Sequence, residues 1–483
     1  MPSRRSFLRA GLAAGATTAI LPTALHPGVA RAQALGGTDY KALIAVWALG
    51  GMDGHDAMLP LDPAVHAQFK AWRPAIFAGH EANQNSREIA NLLELNDTNQ
   101  NAHNGQRFGL APELIDLHGL FEGGELAILP AVGPLIEPAN RAAIDNKTVD
   151  LPKRLRSHND QQLTWKTFNV EGATSGWAGK FFDALIERGA SDTPDFLGMR
   201  LSANSAFVTG QYQRPFSYSG SIPQAGWDYV TRMQRSNGRN RTNSDEIREI
   251  LQQHIEMDGI TSSNYFMQDW VNANNRGAIL TAQYREAVAN LNELDTVFPS
   301  TGLGRQFKAV VDAIRVRETL GVSRQIFSTG LGGWDTHAQQ ANNVSGRFRE
   351  LSGAIKAFRD AMLEIGMWPN VTVFTGSDFG RPLIENGSEG TDHAWANNHF
   401  ITGGSVDGGR IVGQAVTNWD INDSSDAGQM INNGQVIPTT SVEQYAASLG
   451  EWWGLTSSEI NGALPRLGNF SAGPVKLFQS AVF

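Results

Sequence analysis

The chain of 483 residues has no cysteine. That removes disulfides, thiolate metal ligands and cysteine nucleophiles together, so folding depends on an apolar core and any metal must be held by nitrogen or oxygen. No apolar run beyond the first 25 residues is long enough to cross a membrane as a helix. Lysine and arginine, 39 against 48 acids, form no cluster, which argues against a nucleic-acid partner. Internal repeats and a domain linker are also missing. With 41% hydrophobic residues, the chain has enough material for a large core.

What is present begins with an address. Ser3, Arg4, Arg5, Ser6, Phe7, Leu8 and Arg9 precede a mildly apolar run from Ala10 to Leu25, and Ala30, Arg31 and Ala32 form a small-residue cleavage site. A basic start, a short apolar middle and that cut describe a removable export signal over residues 1–32, and the paired arginines specify the twin-arginine route. The expected partner in export is the twin-arginine translocase, and the expected location is the periplasm or cell envelope. The mature chain, beginning near Gln33, is expected to be one domain over 33–483. Losing Arg4, Arg5, Arg9 and Arg31 with no acid moves the formal charge from -9 to -13.

Residues 41–49, KALIAVWAL, read as a buried strand closed by Gly50-Gly51, and residues 125–130, ELAILP, as another. Residues 81–107 are polar and without period, which reads as a long surface excursion. Ser157 starts a short helix in SHNDQQLTWKTF, a second follows in GWAGKFFDALIERGA up to Gly189, and residues 190–244 read as an irregular, cap-like insertion. Helical patterns span 245–295 and 304–319. Phe348, Leu351, Ile355, Phe358, Met362 and Ile365 mark an amphipathic helix between the strands RQIFSTG and NVTVFTGS, which implies a parallel crossover. Short strands with turns are read over 399–413, and a last helix carries Val442, Tyr445, Leu449, Trp452 and Trp453. The expected fold is α/β, with a mostly parallel sheet flanked by helices.

Chemistry-bearing residues gather at the strand ends. Asp53 follows the first strand, Asp335 and His337 stand in GLGGWDTHAQQ, Asp378 ends TVFTGS, and His393 follows Asp392 in a glycine-rich loop. Each has a plainer reading: a turn for Asp53 and Asp378, a helix cap for Asp335, a surface or satisfied core residue for the histidines. Strand ends of open α/β sheets are nevertheless where ligands bind, and the set together points to one shared site. Three carboxylates and two imidazoles could hold one or two divalent ions, with Mg, Mn, Ca and Zn all in range. Ser157, at a helix N-terminus, is the candidate nucleophile or else a plain N-cap. Arg381 and Arg410 are candidate oxyanion clamps or surface charges.

The segments GGMDG, FGLAPEL, ELAILPAVG, RSHNDQQ, GWAGK, GGWDTH and SDFGRPLIENGSEGTDH, in that order between Lys41 and Leu455, resemble the DUF1501 family of the alkaline phosphatase and sulfatase superfamily. The resemblance implies Asp53, Asp335, His337, Asp378 and His393 as metal ligands and Ser157 or its neighbour near the nucleophile position. It also implies a metal-dependent hydrolase of phosphate or sulfate esters, with a small or polymeric ester as substrate, or a non-catalytic binding or assembly protein of the envelope on the same scaffold. Two departures bear on this. Phe379 stands where active relatives have histidine after the aspartate, and Trp395 stands where many relatives have a histidine, with His399 further on. The formylglycine motif of sulfatases is not found around Ser157.

Overall fold

The computed structural model describes residues 39–190, 194–202, 206–218 and 264–479. Residues 1–32, read as an export signal, and residues 245–263 of the 245–295 helical pattern lie outside them.

One sheet organises the described residues. Its strands are β1 (Lys41–Leu49), β2 (Leu126–Gly133), β3 (Gly198–Arg200), β4 (Phe216–Ser217), β5 (Arg324–Gly332), β6 (Val371–Ser377), β7 (Asn397–Gly403), β8 (Arg410–Ile411) and β9 (Thr440–Ser441). The order is β8-β2-β7-β6-β1-β5-β3-β4, with β9 on β2. Every pairing is parallel except those of β7, which runs antiparallel to β6 and β2. β1 lies at the centre, Val46 facing Thr329 of β5 on one side and Thr375 of β6 on the other. Its buried, unalternating run is what a strand covered on both faces requires.

The helices that matter here are α1 (Gly54–Ala57), α2 (Pro63–Trp72), α3 (Pro74–Ala82), α4 (His158–Thr167), α5 (Trp177–Glu187), α6 (Tyr265–Val288), α7 (Gly302–Arg315), α8 (Gln340–Glu364) and α9 (Val442–Trp453). The apolar face of α8, including Phe348, Leu351, Ile355, Phe358 and Met362, is buried in the main core. It carries the chain from β5 to β6, and because β1 lies between those strands the crossover spans one strand position. None of the described helices is long and apolar enough to cross a membrane.

Two readings of the sequence change. Residues 81–107 are mostly exposed, as a surface excursion is, but they are anchored to the body. They help form a small sheet of Met58–Pro60, Leu93–Glu94 and Phe108–Leu110, tied to the body by buried charges: Arg87 donates to Asp56 at 2.8 Å and to Glu113 at 2.9 Å, and His80 meets Asp56 at 2.9 Å. Among the few polar residues of the segment that are buried, Arg87 is matched by buried acids outside it. The described part of 190–244 likewise extends the main sheet through β3 and β4 rather than capping it, since β3 pairs with Ile326–Ser328 of β5.

Candidate metal centre

The parallel strands β5, β1 and β6 end on the same edge, and the chain turns there. Gly50 and Gly51 follow β1 with φ of +115° and +81°. A Cβ on Gly50 would lie 2.6 Å from the Asp335 nitrogen, and one on Gly51 would lie 2.5 Å from the Phe379 ring. Only glycine lets the three strand ends close up in this way.

Four side chains meet above that edge. Ligand atoms of His158, Asp335, His337 and His393 all lie within 4.8 Å of one another. Asp335 Oδ1 is 3.4 Å from His158 Nε2, 3.2 Å from His337 Nε2 and 3.6 Å from His393 Nε2. Asp335 and His337 are nearly half exposed, so the cluster opens to solvent.

Each histidine is oriented by its other ring nitrogen. His158 Nδ1 lies 2.8 Å from Asp378 Oδ2, His337 Nδ1 3.3 Å from Asp392 Oδ1, and His393 Nδ1 2.7 Å from the carbonyl of Arg156. These oxygens accept only, so each Nδ1 is placed to donate and each Nε2 is turned toward Asp335 at the centre. His337 Nε2 and His393 Nε2 then face each other at 2.7 Å, an opposition that a proton or a cation between them relieves. Arg154 and Arg156 hold left-handed backbone conformations, φ +54° and +72°, in the turn that brings the Arg156 carbonyl to His393.

The surroundings set the charges. The hydrogen bond to Asp378 raises the His158 pKa against the effect of burial. Burial lowers that of His393, aided by Arg381 and the neighbouring imidazoles. At Asp335 burial pushes upward, but the Arg381 hydrogen bond and charge and the two histidines outweigh it and hold the carboxyl low. A hydrogen bond from Asn386 lowers Asp392 in the same sense.

The structure separates the residues singled out in the sequence. Asp335, His337 and His393 converge. Asp378 stands behind them: 1% exposed, it accepts through Oδ2 from Gly50 N and Gln162 Nε2, both at 3.0 Å, as well as from His158. Asp53 lies outside the cluster, capping α1 through the amides of His55 and Asp56 and pairing with buried Arg73 at 2.6 Å and with Gln340 at 2.8 Å. Ser157 is adjacent to the cluster, its hydroxyl donating to Asp160 Oδ2 at 2.6 Å. Arg381 is no clamp for a substrate oxyanion. It is fully buried and donates to the carbonyls of Gly50, Gly51, Trp334 and Thr391 and to Asp335, knitting the strand ends together. Arg410 pairs with Asp407 at 2.7 Å and takes no part.

His158 is the functional residue the sequence reading passed over, noted only as the neighbour of Ser157. Its contact with Asp378, like that of Gln162 one turn later, joins residues more than 200 positions apart. With His158 the cluster holds three imidazoles, so Phe379 leaves no shortage of nitrogen. The Phe379 ring packs under two of them, 4.7 Å from His158 and 4.5 Å from His393 between centroids. His399 is buried against Trp165, bonded to Thr375, and held neutral by burial, which lowers its pKa to about 3. Trp395 is buried and donates to the Pro134 carbonyl.

Three imidazole nitrogens and a carboxylate oxygen, each backed by an oriented partner, form a donor set suited to zinc or a similar transition ion; magnesium and calcium take mainly oxygen.

Comparison with known proteins places the chain. It matches the family described as a protein of unknown function, DUF1501, over residues 40–462, and it belongs to that family. No curated protein sequence matches it. Among solved structures, Ps i-CgsB in complex with k-i-k-neocarrahexaose is similar at 9% identity over 87% of this chain and 73% of its own, with a TM-score of 0.31. The lipoteichoic acid synthase LtaP from Listeria monocytogenes shows 8% identity over 85% and 80%, TM-score 0.28. The PsFucS1 sulfatase from Pseudoalteromonas sp. shows 10% over 80% and 66%, TM-score 0.30. At such scores the chemistry has to be argued from this chain's own residues.

Proposed function

We propose that this DUF1501 protein is a metal-dependent hydrolase of phosphate or sulfate esters, exported by the twin-arginine route and working in the periplasm or cell envelope. One observation carries the reading: His158, His337 and His393 each spend Nδ1 on an oxygen acceptor and turn Nε2 toward Asp335. An arrangement so oriented in a solvent-open position is what a catalytic ion needs. Bound there, a divalent ion would polarise an ester oxygen and stabilise charge on an attacking oxygen.

The chain's own residues supply the rest. His158, Asp335, His337 and His393 would hold one ion, while Asp53 is engaged by buried Arg73. Asp378 holds the His158 ring, and Asp392 and the Arg156 carbonyl hold the other two. Ser157 is the proposed nucleophile: its hydroxyl donates to Asp160, which receives the proton as the serine oxygen bonds to phosphorus or sulfur and the ester alcohol leaves with a proton from water. A second water then cleaves the serine ester, releases phosphate or sulfate and restores the hydroxyl. Hydrogen bonds from Ser157 and Arg154 keep Asp160 ionised and ready to accept that proton. They also make it a weak base, so attack depends on a bound ion.

A second reading, a metal-holding binding or assembly protein, is favoured by the same Ser157–Asp160 bond, which commits the hydroxyl away from the cluster.

The test uses protein recovered from the periplasmic fraction, where the chain is expected to begin near Gln33; recovery only from the cytoplasm as full-length precursor would remove the export reading. Wild type, His393→Ala and Ser157→Ala, loaded with zinc or manganese, are given chromogenic phosphate and sulfate esters. Turnover that falls by more than about 100-fold in both variants supports the hydrolase. Metal uptake without turnover of any ester supports the binding protein instead.

A further inference from the structure

One turn and two turns beyond His158, the same face of α4 carries Gln162 and Lys166, at positions i+4 and i+8. The first two both donate to Asp378 Oδ2, at 2.8 and 3.0 Å, and Gly50 adds its amide to that oxygen. Asp378 Oδ1 is buried with no hydrogen-bond partner in the protein. Lys166 is 1% exposed, its Nζ likewise without a partner, and it lies 4.8 Å over the ring of Trp47. Trp47 is paired in register with Gly376, two residues before Asp378.

We propose that Lys166 is a positioning residue of the metal centre: its buried ammonium balances the Asp378 carboxylate, which in turn fixes the His158 ring for metal binding. An ammonium in the core without an acceptor is costly, and a methionine would fill the same volume without that cost. Burial lowers the Lys166 pKa to about 8, and Asp378 is the charge that opposes the shift. Asp378 Oδ1 and Lys166 Nζ, two buried atoms of opposite charge without hydrogen-bond partners, attract one another from the end of strand β6 and from helix α4. That face of the helix thus converges on one carboxylate, and that carboxylate holds the one ligand that comes from outside the strand-end loops.

This inference rests on the reading of the site as a metal centre. Zinc affinity is measured by competition with a chromogenic chelator for wild type, Lys166→Met, Asp378→Asn and the double variant. In the zinc-free proteins, the ring nitrogens of His158 are followed by 15N NMR. Lys166→Met is expected to weaken zinc binding about 10-fold, with no further loss when added to Asp378→Asn, and to weaken the Nδ1–H signature of His158. Zinc affinity equal to wild type, or the same 10-fold loss in both backgrounds, overturns the proposal. Should Lys166→Met fail to fold, Lys166→Gln, which keeps a donor without the charge, goes through the same cycle with the same expected and contrary results. If wild type itself binds no zinc, the reading of the site fails, and the His158 resonance still decides on Lys166 alone.

Discussion

At the scale of single residues, what distinguishes the cluster is the second nitrogen of each histidine. An imidazole held only at its ligand atom can rotate away, whereas His158, His337 and His393 are each held from behind. Two aspartates at neighbouring strand ends have correspondingly different tasks. Asp378 orients a histidine; Asp53 answers a buried arginine. Asp53→Asn removes one half of a fully buried ion pair and leaves Arg73 uncompensated, at a cost of roughly 3–5 kcal/mol of stability. Urea denaturation should show that loss, while zinc affinity of the folded variant stays at the wild-type value. Zinc affinity lost without a loss of stability would make Asp53 a ligand.

Three of the four cluster residues were legible in the sequence, because GWDTH and DH each place an acid and a histidine together after a strand. His158 was not, because its role depends on α4 approaching β6 from 220 residues away, and nothing local records that approach. Asp53 shows the converse: an acid after a strand is the right kind of residue in the right place, but its partner Arg73 lies in a neighbouring helix turn whose packing the sequence does not reveal.

At the scale of elements, buried strands were readable because burial on both faces leaves continuous apolar runs, as in β1 and β2. In the segment 81–107 the surface residues were legible from their polarity, whereas its buried anchor was not: Arg87 is matched with Asp56 and Glu113, which lie far from it in sequence. Helix α9, which a further helix over Ser457–Ala463 follows, adds a titrating group to the core. It starts with a capping box, Ser441 and Gln444, and buries Glu443 in its first turn. Burial raises the Glu443 pKa to about 7, against the pull of Arg466 and Lys180. A folded-state pKa above the unfolded value means that the native protein binds the extra proton: its stabilising contribution is whole below about pH 4.5 and is lost as pH rises through 7. Glu443→Gln is therefore expected to be more stable than wild type at pH 8, by at most roughly 3 kcal/mol, and to lose that advantage at pH 4. Thermal melting across that range checks it; a difference independent of pH would contradict it.

At the scale of the whole molecule, the centre is assembled by a scaffold with no cysteine to spare for metal or covalent bracing. The parallel edge of the sheet supplies Asp335 through the turn after β5, Asp378 at the end of β6, and His337 and His393 through the loops beyond. Helix α4 adds His158, and buried Arg381 fastens the strand ends from within. Every part of that assembly is aimed at one position, so the account stands or falls on whether an ion sits there. The direct measurement is metal content per chain after loading with zinc and exhaustive dialysis, for wild type and for His158→Ala, His337→Ala and His393→Ala. The account predicts one ion per wild-type chain and near-background content in each variant. Wild type that retains no ion, or variants that retain it fully, would contradict the three-imidazole centre.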